Sequence, residues 1–375
     1  MKIAVGLSGG VDSAVTAALL KEQGHEVVGV FMKNWSDDFG INGECPWEQD
    51  QRDAQSVAEH LGIEFLSYNF ELQYRERVIE YFFSEYKAGR TPNPDILCNS
   101  EIKFNVFLKR CLQELGADKI ATGHYARVIN NEELIIKNGE LTICQFANLP
   151  VGEDAKYHLL RGIDQNKDQS YFLCRLTQEE LAKSLFPIGE YTKPQVRELA
   201  QKFGIPVAQK KDSQGICFVG KINVTEFLRS ELGNKPGEIV DIDSGKIVGE
   251  HSGLWFYTIG QREGLGLGGG PWFVVKKDLA SNKLIIAKGT DNPALFTKEV
   301  VLDEINIIDK EQLIINNSGL YGVSLRYRQK PNKAELSWNG DKIKLIFEEP
   351  QRAVAPGQFG CIHVGDEVVG SGVIE

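Results

Sequence analysis

Across the first ~125 residues, short apolar runs alternate with stretches of helical spacing. Lys2–Leu7 is an apolar run that ends in glycines, and Ser13–Gln23 has one apolar helical face and stops at Gly24. His25–Met32 is again strand-like, and Gln49–Leu61 is helical and ended by Gly62. Glu64–Tyr68 reads as a third strand and Lys119–Thr122 as another, leading into Gly123 and His124. This alternation predicts βαβ units and an α/β fold with a parallel sheet, which places ligands at the carboxyl ends of its strands.

Past about Val219 the pattern changes. Asn234-Lys-Pro-Gly, Asp243-Ser-Gly-Lys and the glycine-dense Gly260–Gly270 read as tight turns between short strands. From about Leu284 onward, alternating segments such as Glu335–Trp338, Lys342–Phe347 and Phe359–Val364 run to the end. The expected organisation is three domains: residues 1–222 as the α/β domain, 223–284 as a small β-rich central domain, and 285–375 as a C-terminal β-barrel. A length of 375 residues suits two or three such units. No repeat, low-complexity segment or apolar run long enough for a spanning helix is visible. With the chain opening directly into its first strand, a cytoplasmic protein without a membrane partner is expected.

Seven cysteines without a CxxC pair argue against a secreted disulfide scaffold or a zinc ribbon. The net charge of −10 is concentrated between Asp37 and Glu101, where 14 acids face 5 bases. Ala155–Lys211 carries 10 bases against 6 acids, and Arg326-Tyr327-Arg328-Gln329-Lys330 is basic with an aromatic inside it. Such local basic surfaces can bind RNA on an acidic protein, in a salt-sensitive way, although charge alone equally describes a solvated surface.

The first strand runs into Gly6-Leu7-Ser8-Gly9-Gly10-Val11-Asp12-Ser13. It lacks the Gly-Lys-Ser/Thr ending of a Walker A loop, yet its composition suits the same task. Gly9 and Gly10 let backbone N–H groups approach an anion, Ser8 and Ser13 add hydroxyls, and the following helix contributes its positive end. Asp12 could help hold Mg²⁺ beside bound phosphates. The string resembles the PP-loop ATP pyrophosphatases, which place AMP on a substrate oxygen so that a nucleophile can replace it.

Two cysteines bear on which substrate is activated. In Thr91-Pro92-Asn93-Pro94-Asp95-Ile96-Leu97-Cys98 the prolines set an extended approach, and a helix is expected to begin at Asn99 or Ser100. Cys98 then stands at a helix N-terminus, where the dipole favours a thiolate. Cys217 follows Lys210 and Lys211 in a glycine-containing loop, a second thiolate-favouring setting. Either cysteine alone is more often structural. With an adenylating loop they make chemical sense together, because exchanging oxygen for sulfur needs a sulfur carrier and a thiol to release it.

GLSGGVDS (6–13), GVFMKNW (29–35), NPDILCNSEIKF (93–104), ATGHYAR (121–127), KDQSYFL (167–173), DSQGICF (212–218) and YTIGQREGLG (257–266) resemble the tRNA-specific 2-thiouridylase family, as do SLRYRQ (324–329) and APGQ (355–358). The resemblance covers nearly the whole chain. It implies an ATP-dependent tRNA-uridine 2-sulfurtransferase that makes 2-thiouridine at the wobble position of tRNAs for Lys, Glu and Gln. By carry-over, ATP and Mg²⁺ sit on Gly6–Ser13 with Met32 and Gly123 near the adenosine, and Asn93, Pro94 and Asp95 face the target base. Cys217 carries a persulfide from a sulfur-relay protein or cysteine desulfurase, Cys98 is the nucleophile that releases the sulfur, and Asp95 is a candidate proton acceptor for Cys98. His124, Lys167, Asp168, Gln169, Arg326, Tyr327 and Gln358 correspond to tRNA-contacting positions, which gives the C-terminal barrel an RNA-contacting role. A PP-loop ligase acting on a small molecule, an ATP-regulated RNA-binding protein, and an iron–sulfur cluster on Asp95, Cys98 and Cys217 are the alternatives that the residues leave open.

Overall fold

The computed structural model describes residues 1–36, 47–130, 134–137, 140–143, 156–211, 223–315 and 319–375. Cys217 with its motif, Cys45 and Cys144 lie outside the described residues. The N-terminal layers are built from β1 (Lys2–Gly6), α1 (Val11–Glu22), β2 (Glu26–Lys33), α2 (Trp47–Leu61), β3 (Glu64–Asn69) and β4 (Lys119–Ala121). The sheet order is β3-β2-β1-β4, with the short strand Ser184–Leu185 beyond β4, and every pairing is parallel.

β1 is the central strand, and Ile3, Ala4 and Val5 are wholly buried. Successive side chains leave a strand on opposite faces. Accordingly Ile3 and Val5 join the core shared with α1 and α2, and Ala4 joins the core on the other face with Ile96, Cys98, Phe104 and Phe107. A strand covered on both sides reads as a continuous apolar run, which is why Lys2–Leu7 shows no alternation.

The C-terminal barrel closes through Phe296–Ile307, which pairs antiparallel with both Lys342–Arg352 and Glu367–Ile374. Asn332–Asn339, Leu320–Ser324 and Phe359–Val364 complete the six-strand ring. Two strands from far earlier in the chain, Ala126–Asn130 and Tyr157–Arg161, continue this sheet through the Val368–Leu159 pairing. Lys156 reinforces the junction on Asp309 (2.7 Å) and Glu311 (3.0 Å), as does His158 on Glu367 (2.7 Å).

Between these layers, Gly237–Asp241, Ile247–His251, Trp272–Asp278 and Lys283–Lys288 form a separate four-stranded sheet. Gly260, in the glycine-dense stretch, lies so close to the barrel that an added Cβ would fall 2.4 Å from that of Ala353. No helix among the described residues is long and apolar enough to cross a membrane.

Candidate active site

The loop after β1 is folded by its own small side chains. Ser8 N–H donates to Ser13 Oγ (3.1 Å), the two serine hydroxyls lie 3.2 Å apart, and Ser13 Oγ donates to the Gly10 carbonyl (3.2 Å). Gly9 has φ +73°, and a Cβ there would stand 2.3 Å from the Asp50 carbonyl oxygen. At Gly123, a Cβ would meet Ser13 N at 2.7 Å, so the segment after β4 lies directly on the first turn of α1. Among the described residues no side chain caps α1, whose Ncap residue is Gly10. The first-turn N–H groups and the dipole thus face the mouth of the loop, an arrangement suited to phosphate.

Two lysines from distant sequence reach this loop. Lys193, the first residue of the helix Lys193–Lys202, places its ammonium 2.8 and 2.9 Å from the two oxygens of Asp12. Tyr125 donates its hydroxyl to Asp12 Oδ1 (2.9 Å). Lys210 donates to the Gly9 carbonyl (3.1 Å), to Asp50 (2.7 Å) and to Asp53. Burial alone would lower the pKa of Lys210, but the hydrogen bonds to Asp50 and Asp53 outweigh it and hold the ammonium above its ordinary range. Lys210 therefore braces the loop against α2.

A correction concerns Cys98. The helix starts not at Asn99 or Ser100 but at Pro94: Asn93 is the Ncap, its side-chain oxygen accepting from Ile96 N–H (3.3 Å), with Pro at the first helical position. Pro94–Leu97 continues into a wider π-type stretch, Cys98–Phe107, and then into Leu108–Glu114. Cys98 thus lies a full turn inside the helix, beyond the strongest part of the dipole, and is 0% exposed. It begins the widened segment, a geometry often found at functional sites. Farther along, Phe107 packs 3.8 Å from where a Gly6 Cβ would be, and the Met32 methyl lies 3.1 Å from the same point. The Cys98 helix and the loop after β1 therefore meet at Gly6. Nine residues of the widened helix separate that contact from Cys98.

The segment leading to this helix is fastened by the barrel. Thr91 N–H donates to the Pro356 carbonyl (2.7 Å), and the Gln358 amide donates to the carbonyls of Thr91 (2.9 Å) and Pro92 (3.1 Å) and faces Asn93 at 3.5 Å. Tyr327 packs at a tilt against Phe172 with centroids 4.3 Å apart, and the Phe172 carbonyl accepts from Asn99, the neighbour of Cys98 (3.1 Å). Arg326 beside it is exposed. One barrel loop and the 167–173 segment thus converge beside the Cys98 helix.

Several residues expected to touch RNA are engaged within the protein. Asp168 accepts from Arg161 (2.9 Å) and from the N–H groups of Gly162 and Ser170 (both 3.1 Å). Gln169 accepts Tyr125 N–H (3.0 Å) and so holds the residue that touches Asp12. Lys167 is half-buried in the same turn, its N–H donating to Asp164 (3.0 Å). His124 is buried between Phe104 and Phe186 and bonded to Thr122 (2.7 Å). Burial, with Lys103 nearby, keeps its pKa far below the ordinary histidine value.

Family models match three consecutive segments: a "tRNA methyl transferase HUP domain" over residues 1–221, a "tRNA methyl transferase PRC-barrel domain" over 225–288, and an "Aminomethyltransferase beta-barrel domain" over 297–374. The tRNA-specific 2-thiouridylase MnmA of Streptococcus mutans serotype c is 46% identical over 384 aligned positions, covering 100% of this chain and 95% of that protein. The chain belongs to the tRNA-specific 2-thiouridylase family. Among solved structures, an NMN synthetase from Francisella tularensis is 18% identical with TM-score 0.31, covering 56% of this chain and 66% of that one. A 4-thiouridine synthetase–RNA complex with bound ATP is 18% identical with TM-score 0.33, covering 61% and 50%. Likenesses this partial carry no argument here.

In this member of the thiouridylase family, Tyr125 and Lys193 are the site residues that sequence reasoning passed over. Tyr125 had a signal, since it lies inside the ATGHYAR string. Lys193 had none: it is 181 residues from Asp12 and belongs to an ordinary helix start.

Proposed function

We propose that this chain is a tRNA-uridine 2-sulfurtransferase that adenylates O2 of the wobble uridine in tRNAs for Lys, Glu and Gln and replaces that oxygen with sulfur. The observation that carries the reading is the packing of the Cys98 helix against the phosphate-suited loop at Gly6. A link between the helix that bears Cys98 and the loop after β1 supports a reaction that uses both a thiol and a nucleotide, which a small-molecule ligase would not need. The 46% identical relative supports the same choice.

The uridine O2–Pα bond forms as the bond from Pα to the bridging oxygen breaks, and its electron pair leaves on pyrophosphate while the N3 proton goes to solvent. The α1 N–H groups and the Ser8 and Ser13 hydroxyls stabilise the charge on the phosphates. Asp12 would hold Mg²⁺ together with the nucleotide; one loop carboxylate plus phosphate oxygens fits that ion's habits, and the ion supplies charge neutralisation there. The terminal sulfur of a Cys217 persulfide then adds to C2, and AMP leaves with O2. The Cys98 thiolate, its proton passed to Asp95, attacks Cys217 Sγ, so that sulfur stays on C2, N3 regains a proton, and a Cys98–Cys217 disulfide forms. A reductant must reopen it, and a sulfur-relay protein or cysteine desulfurase must reload Cys217.

Unpaired anticodon bases make turning out the uridine cheap. Arg326 and Tyr327 at the barrel loop, with Lys167, Asp168, Gln169, His124 and Gln358 around the site, make up the proposed tRNA-facing region, the buried members acting by positioning. Asn93, Pro94 and Asp95 border the base, and Met32 and Gly123 the adenosine. We assign residues 1–222 to catalysis, 223–284 to the central domain and 285–375 to RNA contact, in the cytoplasm. The test is mass analysis of anticodon nucleosides after incubating the protein with ATP, a persulfide source and unmodified tRNA. 2-Thiouridine is expected, and its absence under conditions of confirmed ATP binding would sink the assignment.

A further inference from the structure

We infer that Lys193 is a ligand for the β- and γ-phosphates of the nucleotide, held on Asp12 until the nucleotide arrives; this rests on the ATP-using reading above. Its ammonium lies 2.8 and 2.9 Å from the two carboxylate oxygens of Asp12. Asp12 belongs to the first turn of α1, whose N–H groups suit an anion, so the ammonium is held on the same helix start that would meet the phosphates.

Lys193 is the first residue of a ten-residue helix, where the dipole disfavours a cation, and its side chain is only 12% exposed. Lys210 makes the contrast. It too reaches the loop, but two carboxylates of α2, Asp50 and Asp53, hold it as a brace. The acid that holds Lys193 belongs to the phosphate loop itself. Tyr125 supplies a second donor to Asp12 at 2.9 Å, so the carboxylate keeps a hydrogen bond when the ammonium moves away. As the bond from Pα to the bridging oxygen breaks, the electron pair moves onto pyrophosphate, and Lys193 meets that charge with no proton transferred.

The experiment is equilibrium binding of ATP, inorganic pyrophosphate and AMP to the full chain, for wild type, Lys193→Met, Lys193→Arg and Asp12→Asn. Lys193→Met should weaken ATP and pyrophosphate by about ten-fold or more, AMP by no more than about two-fold, with Lys193→Arg recovering part of the loss. Unchanged ATP and pyrophosphate binding would overturn the inference. So would equal weakening of AMP, which would mean that the loop had collapsed. In EDTA, Asp12→Asn should bind pyrophosphate at least as tightly as wild type, because the ammonium is released from its holder. A loss matching that of Lys193→Met would instead make the pair a strut and overturn the inference. None of these readouts uses tRNA, so failure of thiolation in the wild type would count against the functional reading alone.

Discussion

Gln358, in the C-terminal barrel, donates both hydrogen bonds of its side-chain amide to the carbonyls of Thr91 and Pro92, 267 and 266 residues earlier, at 2.9 and 3.1 Å. It thereby sets the chain direction just before Asn93 caps the Cys98 helix. Gln358→Ala should leave ATP binding unchanged and lower single-turnover thiolation by about ten-fold or more, because two half-buried carbonyls lose their donor. Single-turnover thiolation beside a nucleotide titration checks this. Parallel losses in both would place Gln358 in overall stability instead.

Two glycines permit the loop's close approaches. Gly9→Ala would force a Cβ onto the Asp50 carbonyl at a positive φ, and Gly123→Ala would force one onto Ser13 N. Both should cost on the order of 1–3 kcal/mol in stability and abolish detectable ATP binding. Calorimetric titration with ATP at a temperature where the variants remain folded decides it. Wild-type affinity in either would show that the loop tolerates a wider spacing.

The enclosure of Cys98 has a chemical consequence. All four cysteines in the described residues, Cys98, Cys111, Cys174 and Cys361, are buried. Iodoacetamide should modify Cys98 slowly in the protein alone and measurably faster once tRNA is bound, if RNA binding opens the helix face for chemistry. Peptide mass spectrometry of the alkylated protein measures both rates. In the same preparations Cys98→Ser and Cys217→Ser should each eliminate 2-thiouridine while ATP binding persists; activity in either would remove the two-thiol scheme.

Histidine burial sets a pH dependence. Burial, reinforced by Arg161 and partly opposed by Asp168, pushes His363 down to about 4. In the unfolded chain its value is about 6.5, so the unfolded state binds more protons between those limits. Stability from this residue is fully present above about pH 6.5 and is lost as pH falls toward 4, by up to about 1.4 kcal/mol per pH unit. His124 and His251 are shifted in the same direction. Urea midpoints at pH 7, 6 and 5 should fall, and His363→Asn should flatten the fall. An identical slope in the variant would dissociate His363 from it.

Lys210→Met should leave Asp50 and Asp53 facing each other beside the Gly9 carbonyl and weaken ATP binding by about ten-fold, with AMP affected equally, because the whole loop shifts. That pattern differs from the one expected for Lys193→Met, so titrating the two variants side by side separates a brace from a phosphate ligand.

The local elements were legible because each is specified by neighbours in the chain. Ile3-Ala4-Val5, buried on both faces, reads as a parallel strand, and the string Ser8-Gly9-Gly10-Val11-Asp12-Ser13 reads as the loop between that strand and a helix. The start of the Cys98 helix was misplaced because two prolines suggested an extended approach, while the Asn93 cap and Pro94 at the first helical position allowed an earlier start. Lys193 on Asp12, Lys210 between the loop and α2, Gln358 on Thr91, and the strands Ala126–Asn130 and Tyr157–Arg161 joined to the barrel were decided only in three dimensions. A hydrogen bond or ion pair depends on through-space distance, and no periodicity or local composition records which distant side chain will supply its other half.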